Sequence, residues 1–195
     1  MADGVGSWRD RGFDPRNFSH FLVDRCRVIV NSIADTSADR LFPLEIIVDA
    51  WTAALEAKVV GASTICMATL DRTLNQLSYA NIGDCGLMVV RHMDVGKVGY
   101  MRDRKSRDTR STDMRIAYLS QQQLRSFNLP YQLGFADGVK EWNGTFETPG
   151  DADMASIPVM PGDIILLATD GLFDNVDLGK MSYTLLHPLI NHYER

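Results

Sequence analysis

The sequence predicts a layered α+β domain, and three observations carry that expectation. Two amphipathic helices follow one another near the start, and short strands with brief connections come after them. A late apolar run, Ile164-Ile165-Leu166-Leu167, then ends on Ala168-Thr169-Asp170-Gly171. Helices grouped apart from strands favour packed layers over alternating β-α units. In order along the chain, Asp14-Pro15 reads as an N-cap followed by proline at the first helical position. Phe18, Phe21, Leu22, Cys26, Ile29, Val30 and Ile33 then recur at helical spacing, predicting an amphipathic helix to about Ala34. Pro43 opens a second helix, with Leu44, Ile47, Trp51, Ala54 and Leu55 on one face and Gly61 beyond its end. Both stripes read as core faces rather than ligand sites. Residues 63–70, 76–81 and 87–92 read as strands, joined through 71–75 and 83–86, and such short connections predict an antiparallel meander. Pro161-Gly162 turns into a further strand at 163–168, and 178–190 is helical in pattern but interrupted at Pro188.

The chain has 195 residues, 45% of them hydrophobic, which suits one domain with a sizeable core. A net charge of −5 argues against general nucleic-acid binding, which leaves a basic footprint. Cys26, Cys66 and Cys85 form no C-x-x-C pair, as expected in a reducing compartment. No apolar run approaches membrane-spanning length, and Asp3 and Asp10 flank no signal-peptide core. A soluble intracellular protein is expected, in which the sequons at Asn17 and Asn143 carry no meaning. Residues 98–115 stand apart, with Arg102, Arg104, Lys105, Arg107, Arg110 and Arg115 set against Asp103, Asp108 and Asp113. This composition predicts a solvated, mobile basic insertion. The other reading is a docking segment for an acidic or phosphorylated partner.

Acidic, glycine-flanked turns recur three times: Asp3-Gly4, Gly83-Asp84-Cys85-Gly86, and Asp170-Gly171 with Asp174 four residues after Asp170. One Asp-Gly pair is only a turn. Three of them in one chain suggest a site for a hard divalent cation, which takes oxygen ligands and keeps several waters. Asp137-Gly138 reads as an ordinary turn. The histidines are poor ligand candidates: His187 and His192 are five apart, off the spacing of one helical face, and His20 and His92 have no cysteine partners at zinc-site spacing.

Several segments together are recognisable: Ala2–Trp8 followed by Arg9-Asp10, Gly61-Ala62-Ser63-Thr64, Ala80–Gly86, Leu129–Phe135 and Gly162–Asn175. On these, in this order, the chain resembles the metal-dependent type 2C serine/threonine protein phosphatases, and within them the mitochondrial T-cell-activation branch. The resemblance implies an α-β-β-α sandwich of two antiparallel sheets packed face to face, with helices outside and metals at one end. It implies that Asp3 is a bridging metal ligand, that the Gly4 carbonyl binds one ion and that Asp170 is a second carboxylate ligand. Asp84 and Asp174 match positions serving a further, weaker metal site. Two Mg²⁺ or Mn²⁺ ions are implied, with a third at that weaker site, and a phosphoprotein substrate. Val5 stands where many members have a histidine, and Cys85 where serine is common. The chain opens at the first of these motifs and ends soon after the last, and the family's acidic ligands before Asp3 and after Asp174 are not found. The expectation is therefore a sandwich incomplete at both ends, Asp3 on a frayed terminus, and little activity from this stretch alone. No Arg- and Ser-rich leader accompanies the mitochondrial resemblance, so this stretch is expected to stay in the cytosol. A catalytically silent, phosphatase-like binding module is the alternative.

Overall fold

The computed structural model describes residues 1–34, 42–94, 112–140 and 142–176. Its strands are β1 (Ala2–Gly4), β2 (Gly61–Asp71), β3 (Gln76–Ile82), β4 (Gly86–Asp94), β5 (Thr112–Leu119), β6 (Leu124–Ser126), β7 (Leu129–Pro130), β8 (Leu133–Phe135), β9 (Asp153–Pro158) and β10 (Ile164–Ala168). Its α-helices are α1 (Pro15–Ala34), α2 (Pro43–Glu56) and the single turn α3 (Asp170–Phe173), and a 3-10 segment covers Gly6–Arg11.

The two long helices begin as their sequences dictate. The Asp14 Oδ1 accepts the Arg16 amide at 3.0 Å, satisfying one of the amides that a helix start leaves unpaired. Pro43, which has no amide to leave unpaired, starts α2. That helix ends three residues earlier than Gly61 suggests: Lys58 takes a left-handed φ of 52°, and the Val59 amide bonds back to the Ala54 carbonyl.

The strands build two antiparallel sheets. In the larger, β1, β2, β3 and β9 lie side by side. Ser63 pairs with both Gly4 of β1 and Leu133 of β8, so β8 continues the line of β3 along the other edge of β2. The smaller sheet has the order β10-β4-β5, and β6 and β7 form a separate hairpin. Alternation along β2 sends Ile65 and Met67 toward α1 and α2, where Phe18, Leu22, Ile47, Ala50 and Ala54 are buried. Cys66 and Ala68 point the opposite way, into a second core shared with Leu87 and Val89 of β4, Tyr118 of β5 and Ile165 and Leu167 of β10. The two sheets thus pack face to face, and the order of layers is helix, sheet, sheet. On the outer face of the smaller sheet, Met88 and Val90 are covered by Leu172, Phe173 and Val176.

Three expectations are corrected. The meander does not hold, because β3 pairs with β9 while β4 pairs with β10 and β5 in the other sheet. A turn at Gly83, with φ +101°, carries the chain from one layer to the next. The basic insertion is shorter than 98–115, since Thr112–Arg115 open β5 and occupy the edge of β4. An unpaired edge on a strand buried on both faces would leave its backbone groups unsatisfied. Residues 98–111 and the helical pattern at 178–190 lie outside the described residues. Finally, Asp3 is not on a frayed end: β1 is hydrogen-bonded to β2, the Met1 amine donates to the Cys66 carbonyl, and the Ser63 hydroxyl donates to the Asp3 carbonyl at 2.7 Å.

Candidate metal centre

One end of the sandwich collects the acidic turns. Asp3 opposes Thr64 across the β1–β2 ladder. Asp84 sits in the crossover turn just before β4, and Ala168, the last residue of β10, pairs with Gly86 at the start of β4. That pairing delivers Asp170 and Asp174 to the turn that holds Asp84. Two contacts lock the corner where the sheets meet. The Thr64 Oγ1 lies 3.1 Å from the Cys85 Sγ, and a Cβ at Gly83 would fall 2.5 Å from both the Thr64 Cγ2 and the Tyr131 carbonyl oxygen.

The carboxyl groups sense one another. Those of Asp3 and Asp170 face each other, and the Thr169 hydroxyl lies beside Asp3. Burial first, and then the negative charge of Asp170, push the Asp3 carboxyl above its ordinary range, opposed by the Thr169 hydroxyl and the Gly4 amide. Asp84 is buried, and desolvation followed by the charge of Asp170 push it up to about 6, with Asp174 and Asp3 adding to the effect and its own amide opposing it. Asp170 also accepts the Gly171 amide at 2.7 Å, which fixes its carboxyl at the start of α3. Among the described residues, no Lys or Arg forms an ion pair with Asp3, Asp84, Asp170 or Asp174.

A cluster of carboxylates in mutual repulsion, without a cationic side chain, is complementary to a bound cation. The donor set is hard oxygen throughout, which fits Mg²⁺ or Mn²⁺. Among the described residues, no three His, Cys, Asp or Glu side chains close into a metal-holding group. Mg²⁺ does not need such a group, since it binds through one or two carboxylates and retains waters. Two of the glycines in these turns admit close neighbours. At Gly4 it is the Pro15 carbonyl at the start of α1 that approaches, 2.1 Å from where a Cβ would stand, and at Gly86 it is the Phe173 ring, at 2.7 Å. Thr169 was not singled out by the sequence, although its place directly before Asp170 is the signal that could have found it.

The two face-to-face sheets are shared with phosphatases of the type 2C class. The chain superposes on the X-ray structure of the photosystem II phosphatase PBCP with a TM-score of 0.67 and 26% identity, over 93% of this chain and 57% of that one. It superposes on serine-threonine phosphatase 2C from Toxoplasma gondii with a TM-score of 0.51 at 12% identity, over 98% of this chain and 73% of that one, a likeness of fold alone. In sequence the chain is similar to the PTC7 protein phosphatases. It is 37% identical over 178 residues to the protein phosphatase PTC7 homologs of Xenopus laevis and Homo sapiens, 90% of this chain in each case. The match takes in 52% and 51% of those proteins, so the chain spans about half the length of the curated relatives it matches. No protein-family model matches the chain. Among the described residues, no helix is long and apolar enough to cross a membrane.

Proposed function

We propose that the protein carrying this chain is a metal-dependent phosphatase acting on phosphoserine and phosphothreonine in proteins. The observation that best supports this is the meeting of Asp3 and Asp170 at one end of the sandwich, with Asp84 beside them and no cationic side chain among the described residues to pair with them. Phosphate monoesters resist hydrolysis because the anionic phosphoryl group repels nucleophiles and because neutral water is a weak one. Two Mg²⁺ or Mn²⁺ ions, with a weaker third, would supply charge neutralisation and acidification of a water. In this reading Asp3 and Asp170 hold the ions, the Gly4 carbonyl adds a ligand, and Asp84 and Asp174 serve the weaker site. The Thr169 hydroxyl, beside Asp3, favours its ionised form. The aliphatic Val5 cannot donate a proton, so the leaving-group proton comes from another source. The family resemblance extends the proposal to the mitochondrion as the place of action, to be tested by fractionating cells that express the native gene product.

The decisive experiment takes the native gene product with Mn²⁺ or Mg²⁺ and follows turnover of an aryl phosphate and of a phosphothreonine peptide. Metal-dependent turnover that falls on the order of 10²- to 10³-fold in Asp170→Asn is expected. Metal-independent turnover would refute the reading, and so would activity unchanged by Asp170→Asn. A protein that binds phosphopeptide without hydrolysing it would be the silent binding module instead.

A further inference from the structure

On the segment that joins β1 to α1, and used by none of the chemistry above, lies an open depression of about 370 Å³ lined by Arg9, Gly12, Phe13, Asp14 and Arg16. We infer that it is an anion subsite in which Arg9 and Arg16 take an acidic or phosphorylated side chain of the substrate polypeptide, flanking the residue to be dephosphorylated. This rests on the phosphatase reading and deepens it by assigning a sequence preference.

Charge is the first argument. Two guanidinium groups line the depression against one carboxylate, in a chain whose net charge is −5. The Asp14 carboxylate is already engaged with the Arg16 backbone amide as a helix cap. Among the described residues, neither Arg9 nor Arg16 has a carboxylate partner, whereas Arg91 and Arg125 are each paired with one. The guanidinium fork matches phosphoryl and carboxylate oxygens two at a time.

Rigidity is the second. Trp8, only 1% exposed, stacks on Trp142 at 5.1 Å and meets Phe13 edge-on at 6.0 Å. Arg11 lies over both Trp8 and Trp142 and donates to the Ser7 carbonyl, so it is held in place while Arg9 and Arg16 face solvent. Gly12, at φ +82°, reverses the chain so that the Phe13 amide bonds to the Trp8 carbonyl. A Cβ at Gly12 would meet nothing within 4 Å, as befits a position beside open space. A fixed frame limits the entropy lost when an anion is bound.

Position is the third. The depression is built on the segment that runs from β1, which carries Asp3, to the start of α1, and the Pro15 carbonyl lies against Gly4. An extended peptide with its phosphoryl group at Asp3 and Asp170 would bring a flanking residue to Arg9 and Arg16 by running past the end of β1.

The test uses the native gene product and phosphothreonine peptides that differ only in flanking residues: alanine, glutamate or a second phosphothreonine. Turnover is measured alongside fluorescence-anisotropy binding of the labelled peptides to the Asp170→Asn protein. The wild type is expected to favour the acidic peptides by about five- to tenfold in kcat/KM, the scale of two exposed charge-assisted contacts. The preference should shrink as salt is raised toward 1 M, where screening acts over about 3 Å. The double variant Arg9→Gln, Arg16→Gln should lose the preference while its aryl phosphate turnover is retained. A preference that survives in the double variant overturns the subsite, as does wild-type indifference to flanking charge. Arginine-dependent binding to anionic lipid vesicles with no peptide preference also overturns it. If the wild type hydrolyses nothing yet binds acidic peptides through Arg9 and Arg16, the subsite stands and the phosphatase reading falls.

Discussion

At the scale of single residues, the positions that shape this centre are glycines as much as aspartates. Gly83 combines φ +101° with a Cβ position 2.5 Å from a backbone oxygen and from the Thr64 methyl. Gly83→Ala should therefore cost about 3 kcal/mol, from backbone strain and overpacking together, read as a lower urea midpoint. An unchanged midpoint would mean that the crossover turn is not rigid. Cysteines at the same corner are inert. Burial pushes the Cys66 thiol up to about 12 and the Cys85 thiol up to about 11, so neither is a thiolate near neutral pH. A disulfide-exchange reagent should label them only after unfolding, and rapid labelling of the native protein would contradict their burial.

Among elements, β4 carries the most weight. Gly86–Val90 is buried on both faces, which is why β4 is the middle strand of its sheet. Leu87→Ala, at a fully buried side chain between the sheets, should destabilise by about 2–5 kcal/mol. Leu74→Ala, at a turn residue that is 58% exposed, should stay within about 0.5 kcal/mol. Equal losses at the two sites would contradict the layer assignment. Further along β4, Arg91 reaches across to the start of β10 with a two-pronged bond to Asp163, at 2.8 and 2.7 Å. The Arg91 guanidinium, helped by the Met160 amide, holds the Asp163 carboxyl below its ordinary range. A carboxyl lowered in the folded state adds stability that is present above the unfolded value of about 4 and is lost as pH falls through the folded value. The Tm gap between wild type and Asp163→Asn should thus be steady near neutrality and close in acid. A gap that does not narrow would mean that the pair contributes nothing through charge.

For the whole molecule, folding is what brings the carboxylates together, so a cation held among them would link binding to folding. A divalent ion at a hundredfold excess over its Kd stabilises a protein that binds it only when folded by about 2.7 kcal/mol. Mn²⁺ should accordingly raise the Tm of the native gene product, and Asp3→Asn or Asp170→Asn should abolish the rise. In chelator, the same substitutions should leave the Tm unchanged or raise it, because each removes one charge from a like-charged pair. A Tm rise with Mn²⁺ that persists in both variants would place the ion elsewhere.

Much of this was legible in the sequence because it is local. Asp14-Pro15 and Pro43 are start signals that act within one helical turn, and the apolar period of α1 and α2 needs no knowledge of what those faces meet. Short apolar segments bounded by turn residues likewise marked β2, β3, β4 and β10 to within a few residues. The acidic turns stood out because Asp beside Gly is a local pattern. Tertiary structure decided the rest. Whether β4 pairs with β3 or leaves for a second sheet depends on partners contributed by Thr112–Leu119 and Ile164–Ala168, far along the chain. β1, with three residues, has too little sequence for a period and exists because β2 offers it an edge. The Asp3–Asp170 approach spans nearly the whole chain, and local propensity carries no information about it. The pairing of Ala168 with Gly86 on one side and of Asp3 with Thr64 on the other brings those two carboxyls together. Local chemistry wrote the residues of the site, and long-range hydrogen bonding and burial chose which of them meet.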